Sequence, residues 1–193
     1  MPWLSNQSGL FFVLSTLTEL IVKFSALLEA DMQPVESTPE ILLWKILNHS
    51  VDEHWVKWAV EMMMAGYETE HLVELAGICK PFNQFELKEL TDRVFEELNF
   101  DLSNPDKIIK QYISFIAQGV LNKDRPLLTS LRVLNRLYLE LGSHEDLNDF
   151  YLLYYAKEEL MEHTQQWHWE GAYRHNIDQI CHDRLKAWIE KHP

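Results

Sequence analysis

Cysteine is nearly absent from this chain: Cys79 and Cys181 are the only two among 193 residues. Two cysteines make no disulfide framework, so a reducing compartment is the simpler setting and a cytoplasmic location is expected. Glycine and proline are scarce as well, six and seven residues, which leaves little of the composition that keeps chains disordered. The glycines stand singly where helices end, and no glycine-rich loop is present to cradle a phosphate. Basic residues are the third shortage. Seventeen Lys and Arg face thirty Asp and Glu, a formal charge of −13. Phosphate binding needs clustered cations, so nucleic acid and stable insertion into an anionic membrane are not expected. A basic protein is the partner this balance favours.

Long apolar runs are missing too. Glu19 and Lys23 interrupt every opening window of about 20 residues, the length that a bilayer span requires. No basic residue precedes Lys23, so the charged leading region of a signal peptide is also lacking. Nor does any stretch alternate apolar and polar residues for long enough to read as a strand.

What remains is helical periodicity. Apolar residues make up 47% of the chain and aromatics 12%, enough at this length to bury a core. Residues 8–30 read as an amphipathic helix, with Leu10, Leu14, Leu17, Ile21, Phe24 and Leu28 on one side and Ser15, Thr18, Glu19 and Lys23 on the other. Pro34 marks a linker after it, so residues 1–33 are expected to be a helical extension and 38–193 the main domain. A short helix follows Thr38 and Pro39. Ser50 with Glu53 reads as a capping box for the next, which stops at Gly66. Further helices begin at Thr69, Asn83, Pro105 and Pro126. Ser143 with Asp146 reads as a second capping box, opening a helix that is apolar nearly all round from Phe150 to Ala156 and therefore internal. The last helix is expected from about Tyr173 to Lys191. Eight or nine helices joined by short loops predict an all-α, single-domain antiparallel array.

Residues that could carry function fall into three groups. On the helix after Asn83, Leu87, Leu90 and Val94 form the inner side, and Glu86, Glu89, Glu96 and Glu97 share about a third of the circumference opposite. That is either a solvated face or a surface that guides a basic partner. Trp167, Trp169 and Tyr173, with Tyr151, Tyr154 and Tyr155 on the preceding helix, either fill the core or line a groove for a partner. The third group is His168, His175 and His182 with Asp178, Glu159 and His163. On one continuous helix the three spaced histidines would stand roughly 10 Å apart, too far for a single ion. Glu159 and His163 on another helix would have to complete a zinc, iron or manganese site, and exposed histidines are the alternative. No His-Glu-x-x-His is present, no cofactor is expected, and no catalytic residue stands out. Cys181 next to His182 points about 100° away from it on a helix and reads as a buried thiol.

Two blocks carry a likeness. Trp58-Ala59-Val60-Glu61-Met62 with Gly66-Tyr67 and Leu75-Ala76-Gly77 is one. Asp149-Phe150-Tyr151-Leu152-Leu153-Tyr154-Tyr155 with Trp167, Trp169-Glu170-Gly171-Ala172 and Asn176-Ile177 is the other. Between Ile41 and Ile180 the chain resembles small uncharacterised all-helical bacterial proteins, some of them similar to immunity proteins that neutralise a toxin. The resemblance implies a helical fold and assigns no site residue. A soluble acidic interaction module, most concretely of immunity type, is therefore the expected function. A metal-dependent enzyme built on the histidines and carboxylates is the alternative, and a purely structural bundle the third reading.

Overall fold

The computed structural model describes residues 35–192, so the expected N-terminal helix lies outside the described residues. Within them the chain is all-α, with eight α-helices and no strand. The helices are α1 (Thr38–Ile46), α2 (Glu53–Met64), α3 (Glu70–Ala76) and α4 (Gln84–Glu97), then α5 (Pro105–Leu121), α6 (Leu127–Glu140), α7 (Asn148–Glu162) and α8 (Ile177–Lys191). None is long and apolar enough to cross a membrane.

Helix ends follow the local chemistry of the chain. Gly66 adopts φ +97° after α2, where its amide reaches Met63 O (3.0 Å) and the Tyr67 amide reaches Met62 O (3.1 Å). This pair of bonds is a Schellman closure, and it needs a left-handed residue between them. Gly142 does the same after α6, with φ +65° and Ser143 N bonded to Tyr138 O at 2.8 Å. Asn99 and Lys123 take the same position after α4 and α5, at φ 54° and 69°. At N-termini, the Asn83 side chain accepts from Phe85 N and the Asn104 side chain from Lys107 N.

Both expected capping boxes are displaced. Asp52, not Ser50, caps α2, accepting from His54 N at 2.9 Å. Ser143 has φ +72°, a left-handed conformation that closes α6 and is unlike the extended backbone of an N-cap. A short 3-10 turn, Glu145–Leu147, then intervenes before α7. Likewise α8 starts at Ile177 rather than Tyr173; the Tyr173 carbonyl accepts from the Ile177 amide at 3.0 Å, and the Asn176 side chain accepts from the Tyr173 amide at 2.7 Å.

The described residues divide into two compact units. Unit 1 contains 35–41 and 48–100, and unit 2 contains 42–47 and 101–192, so the two parts of α1 are counted separately. Unit 1 packs α2 on α3 and α3 on α4. Its interior is aromatic: Phe95 lies 6.2 Å from Trp55 and 6.0 Å from Trp58, and Phe100 lies 5.4 Å from Phe95. The buried Trp58 indole donates to Thr38 Oγ1 at 3.0 Å, so its one polar atom is satisfied. Unit 2 packs α5 against α6 and α8, and α7 against α6 and α8. Its core contains Ile113, Ile116, Leu134, Leu153 and Leu185, all fully buried. On α7, Phe150, Leu153, Tyr154, Ala156 and Leu160 are buried while Tyr151, Leu152 and Tyr155 are half-buried. The helix thus has an outer side, although a half-covered aromatic one.

Candidate functional site

Charge separates the two units. Among the described residues unit 1 carries thirteen Asp and Glu against four Lys and Arg, a net of −9, and unit 2 fourteen against twelve, a net of −2. Most of the net negative charge of the described residues therefore belongs to unit 1, because unit 2 offsets its carboxylates with cations. On α4, Leu87, Leu90, Val94 and Phe95 are buried, which leaves Glu86, Glu89, Asp92 and Glu96 exposed. Glu89 accepts from Arg93 one turn later at 2.6 Å.

Glu97 does not stand with them. It is half-buried against the start of α3, where His71 Nδ1 lies 2.5 Å from Oε1 and the His71 amide donates to Oε2 at 3.1 Å. The Thr69 hydroxyl and then the His71 hydrogen bonds hold the Glu97 carboxyl below its ordinary value of 4.5. The residue is an internal tie between α3 and α4. Its helical position is right for the acidic face, but the neighbouring helix takes it.

In unit 2 the three aromatic candidates part company. Trp169 is half-buried and packs on the core, whereas Trp167 is 87% exposed. Tyr173 is 56% exposed and stacks on His175 at 5.7 Å. The Tyr138, Tyr151, Tyr155 and His168 rings form a row, with successive centroids 4.4, 5.1 and 5.4 Å apart. Tyr154 turns inward, where its hydroxyl donates to Glu158 at 2.6 Å.

The segment that carries these side chains, 163–176, is held by three polar residues that periodicity does not single out. Gln166 Oε1 accepts from the amides of His168 and Trp169, both at 2.8 Å, and its Nε2 donates to Trp169 O and Ala172 O. Arg174 Nε donates to Leu160 O at 2.6 Å and His163 O at 3.1 Å, covering carbonyls at the end of α7. Asn176 accepts from Tyr173 N and donates to Gly171 O. No composition rule marks Gln166. Its role depends on where the loop backbone runs.

The histidines and carboxylates do not converge. His168 Nε2 lies 3.2 Å from Glu159 Oε1, and this is the single contact among the six candidates that joins a histidine ring to a carboxylate. His163 and His175 are exposed, Asp178 is paired with Lys157, and the His182 ring donates to the Asp178 carbonyl at 2.6 Å. Among the described residues no three His, Cys, Asp or Glu side chains gather as a metal site. Cys181 is buried, and burial pushes its thiol up to about 12. A nucleophile would need the opposite shift.

Unit 2 also has a cleft of about 630 Å³ between the start of α7 and the end of α8, lined by Asp146, Asp149, Phe150, Arg184, Trp188 and Lys191 among others. Arg184 already bonds Asp149 across it, and Asp146 lies 3.6 Å from Lys110. Arg184 and Asp149 thus neutralise each other within the cleft, and Asp146 is paired with a lysine outside its lining. The chain matches no protein-family model, no curated protein and no solved structure.

Proposed function

We propose that this chain is an acidic interaction protein that binds a basic protein partner, and that its most concrete form is an immunity-type protein neutralising a toxin. The observation that carries the reading is the concentration of charge: a net −9 in unit 1, with Glu86, Glu89 and Glu96 exposed along one helix. Clustered like charge raises the encounter rate with an oppositely charged surface and repels wrong partners. The same cluster contributes little to folding, because exposed ion pairs such as Glu89–Arg93 are worth about 0–1 kcal/mol. An acidic toxin-binding surface and an acidic solvated one differ in salt dependence.

The test is to isolate a partner from cells that make the chain and measure its association with the wild type and with Glu86→Lys/Glu96→Lys. Association should slow several-fold at low salt in the variant, and added salt should weaken the wild-type complex, since charges beyond about 8 Å are screened at physiological ionic strength. Equal rates for both proteins at every salt concentration would refute the proposal.

A further inference from the structure

We infer that Trp167 is a preorganised anchor for a partner segment in which an apolar residue or pocket is flanked by Lys and Arg. The inference rests on the interaction reading above and adds a second surface, on unit 2. Trp55, Trp58 and Trp188 are buried and Trp44 and Trp169 are half-buried, so Trp167 is the outlier among the described tryptophans. An exposed indole on a loose loop would mean little. This loop is tightly held.

Gln166 bonds the amides of His168 and Trp169, both at 2.8 Å, so the backbone immediately after Trp167 is fixed by the residue immediately before it. Arg174 fastens the loop's exit to the carbonyls of Leu160 and His163. It thereby brings the stretch that carries Tyr173 and His175 up to the end of α7, where Met161 is 63% exposed. These bonds fix the backbone on which Trp167 is carried, and its indole stands 87% exposed from it. A tryptophan held this way has only two side-chain torsions left to order, while it can cover about 200 Å² of a partner. Anchors in protein interfaces have this combination of large contact area and low ordering cost.

Charge identifies the occupant. Glu162 and Glu170 are exposed on either side of the tryptophan in sequence. The nearby cations are committed elsewhere: Arg174 to backbone carbonyls and Lys157 to Asp178. A second copy of this chain, with a net charge of −13, would meet repulsion here. A Lys/Arg-bearing segment would meet attraction, and its apolar part would cover the indole.

The test uses the full chain, immobilised, with a phage-displayed library of random peptides as the probe. Selected peptides should be enriched in Lys and Arg and contain apolar residues. Their affinity should fall about tenfold or more in Trp167→Ala, the size expected for an anchor. It should fall again in Glu162→Lys/Glu170→Lys and be unchanged in Glu86→Lys/Glu96→Lys. Gln166→Ala leaves the indole present but loosens its backbone, so affinity should drop while the circular dichroism melt of the chain is retained. No enrichment, peptides without basic bias, equal binding to Trp167→Ala, or Trp167-dependent self-association in sedimentation would each overturn the inference. Loss only in Glu86→Lys/Glu96→Lys would remove this surface and leave the α4 reading standing. The reverse pattern is the expected one: it supports this surface and leaves the α4 face to the association test with the isolated partner.

Discussion

Truncating Phe150 to alanine would test whether α7 is held by its buried face. The side chain is 2% exposed and meets Trp188 edge-on, with centroids 5.9 Å apart and planes at 70°. Loss of its burial, together with the cavity left behind, should cost about 3–5 kcal/mol. The edge contact itself accounts for about 0.5–1.5 kcal/mol of that. At about 2–4 °C per kcal/mol for a chain of this length, the melting midpoint should fall by roughly 6–20 °C. Urea titration followed by far-ultraviolet circular dichroism would give the free energy, and the cycle Phe150→Ala, Trp188→Ala and the double variant would give the coupling. Trp188→Ala carries an added loss, since its indole donates to Ser114 Oγ at 3.0 Å. That bond is common to both legs of the cycle, so it should cancel from the coupling. A cost below about 1 kcal/mol, typical of a surface change, would refute the placement of Phe150 in the core. Zero coupling would refute its contact with Trp188.

Other outcomes follow from single residues. Because the Glu97 carboxyl is held below its ordinary 4.5 in the folded chain, its contribution to stability should be full above that value and disappear as pH falls through the folded one. Glu97→Gln should therefore make acid unfolding shallower, and an unchanged profile would count against the tie to His71. A thiol reagent at mildly alkaline pH should label the exposed Cys79 and leave Cys181 unmodified, since burial keeps that thiol protonated up to about 12. Labelling of both in the native protein would contradict the packing of α8. Lys123 occupies a left-handed position at φ 69°, which costs an L-residue roughly 1–2 kcal/mol. Lys123→Gly should therefore raise stability by up to about 1 kcal/mol after the entropy of glycine is offset, and a lower melting midpoint would show that the lysine side chain has a role of its own. Glu86→Lys/Glu96→Lys should leave the melt within about 0.5 kcal/mol of wild type, separating any effect on association from one on folding.

The candidate surfaces were legible in unequal degree. Glu86, Glu89 and Glu96 fall outside because Leu87, Leu90 and Val94 fall inside, and helical periodicity carries that information. Glu97 lies on the same arc, yet α3 places His71 beside it, a pairing across 26 residues. Trp167 and Trp169 look alike in the chain and end in different environments, one outside and one on the core. Two residues apart in a loop there is no period to read, and the distinction comes from how Gln166 folds the backbone between them. The spaced histidines lost their common stripe for the same reason. The loop before α8 is not helical at His168 or His175.

By itself the sequence determined the all-α class, most helix stops and the acidic balance. These depend on interactions within a few residues: a left-handed glycine after α2 or α6, an asparagine cap before α4, apolar residues returning every turn. Tertiary structure decided which of several local options the chain takes. Asp52 displaced Ser50 as a cap, Ser143 closed one helix rather than opening the next, and Gln166 and Arg174 satisfied loop carbonyls and amides with no helical partner. The caps and the Gln166 bonds select among partners within six residues, whereas Arg174 reaches Leu160 O fourteen residues back, a partner that the path of the chain has to bring near. Buried backbone groups must all be paired, so the packed geometry selects the partner that composition leaves open.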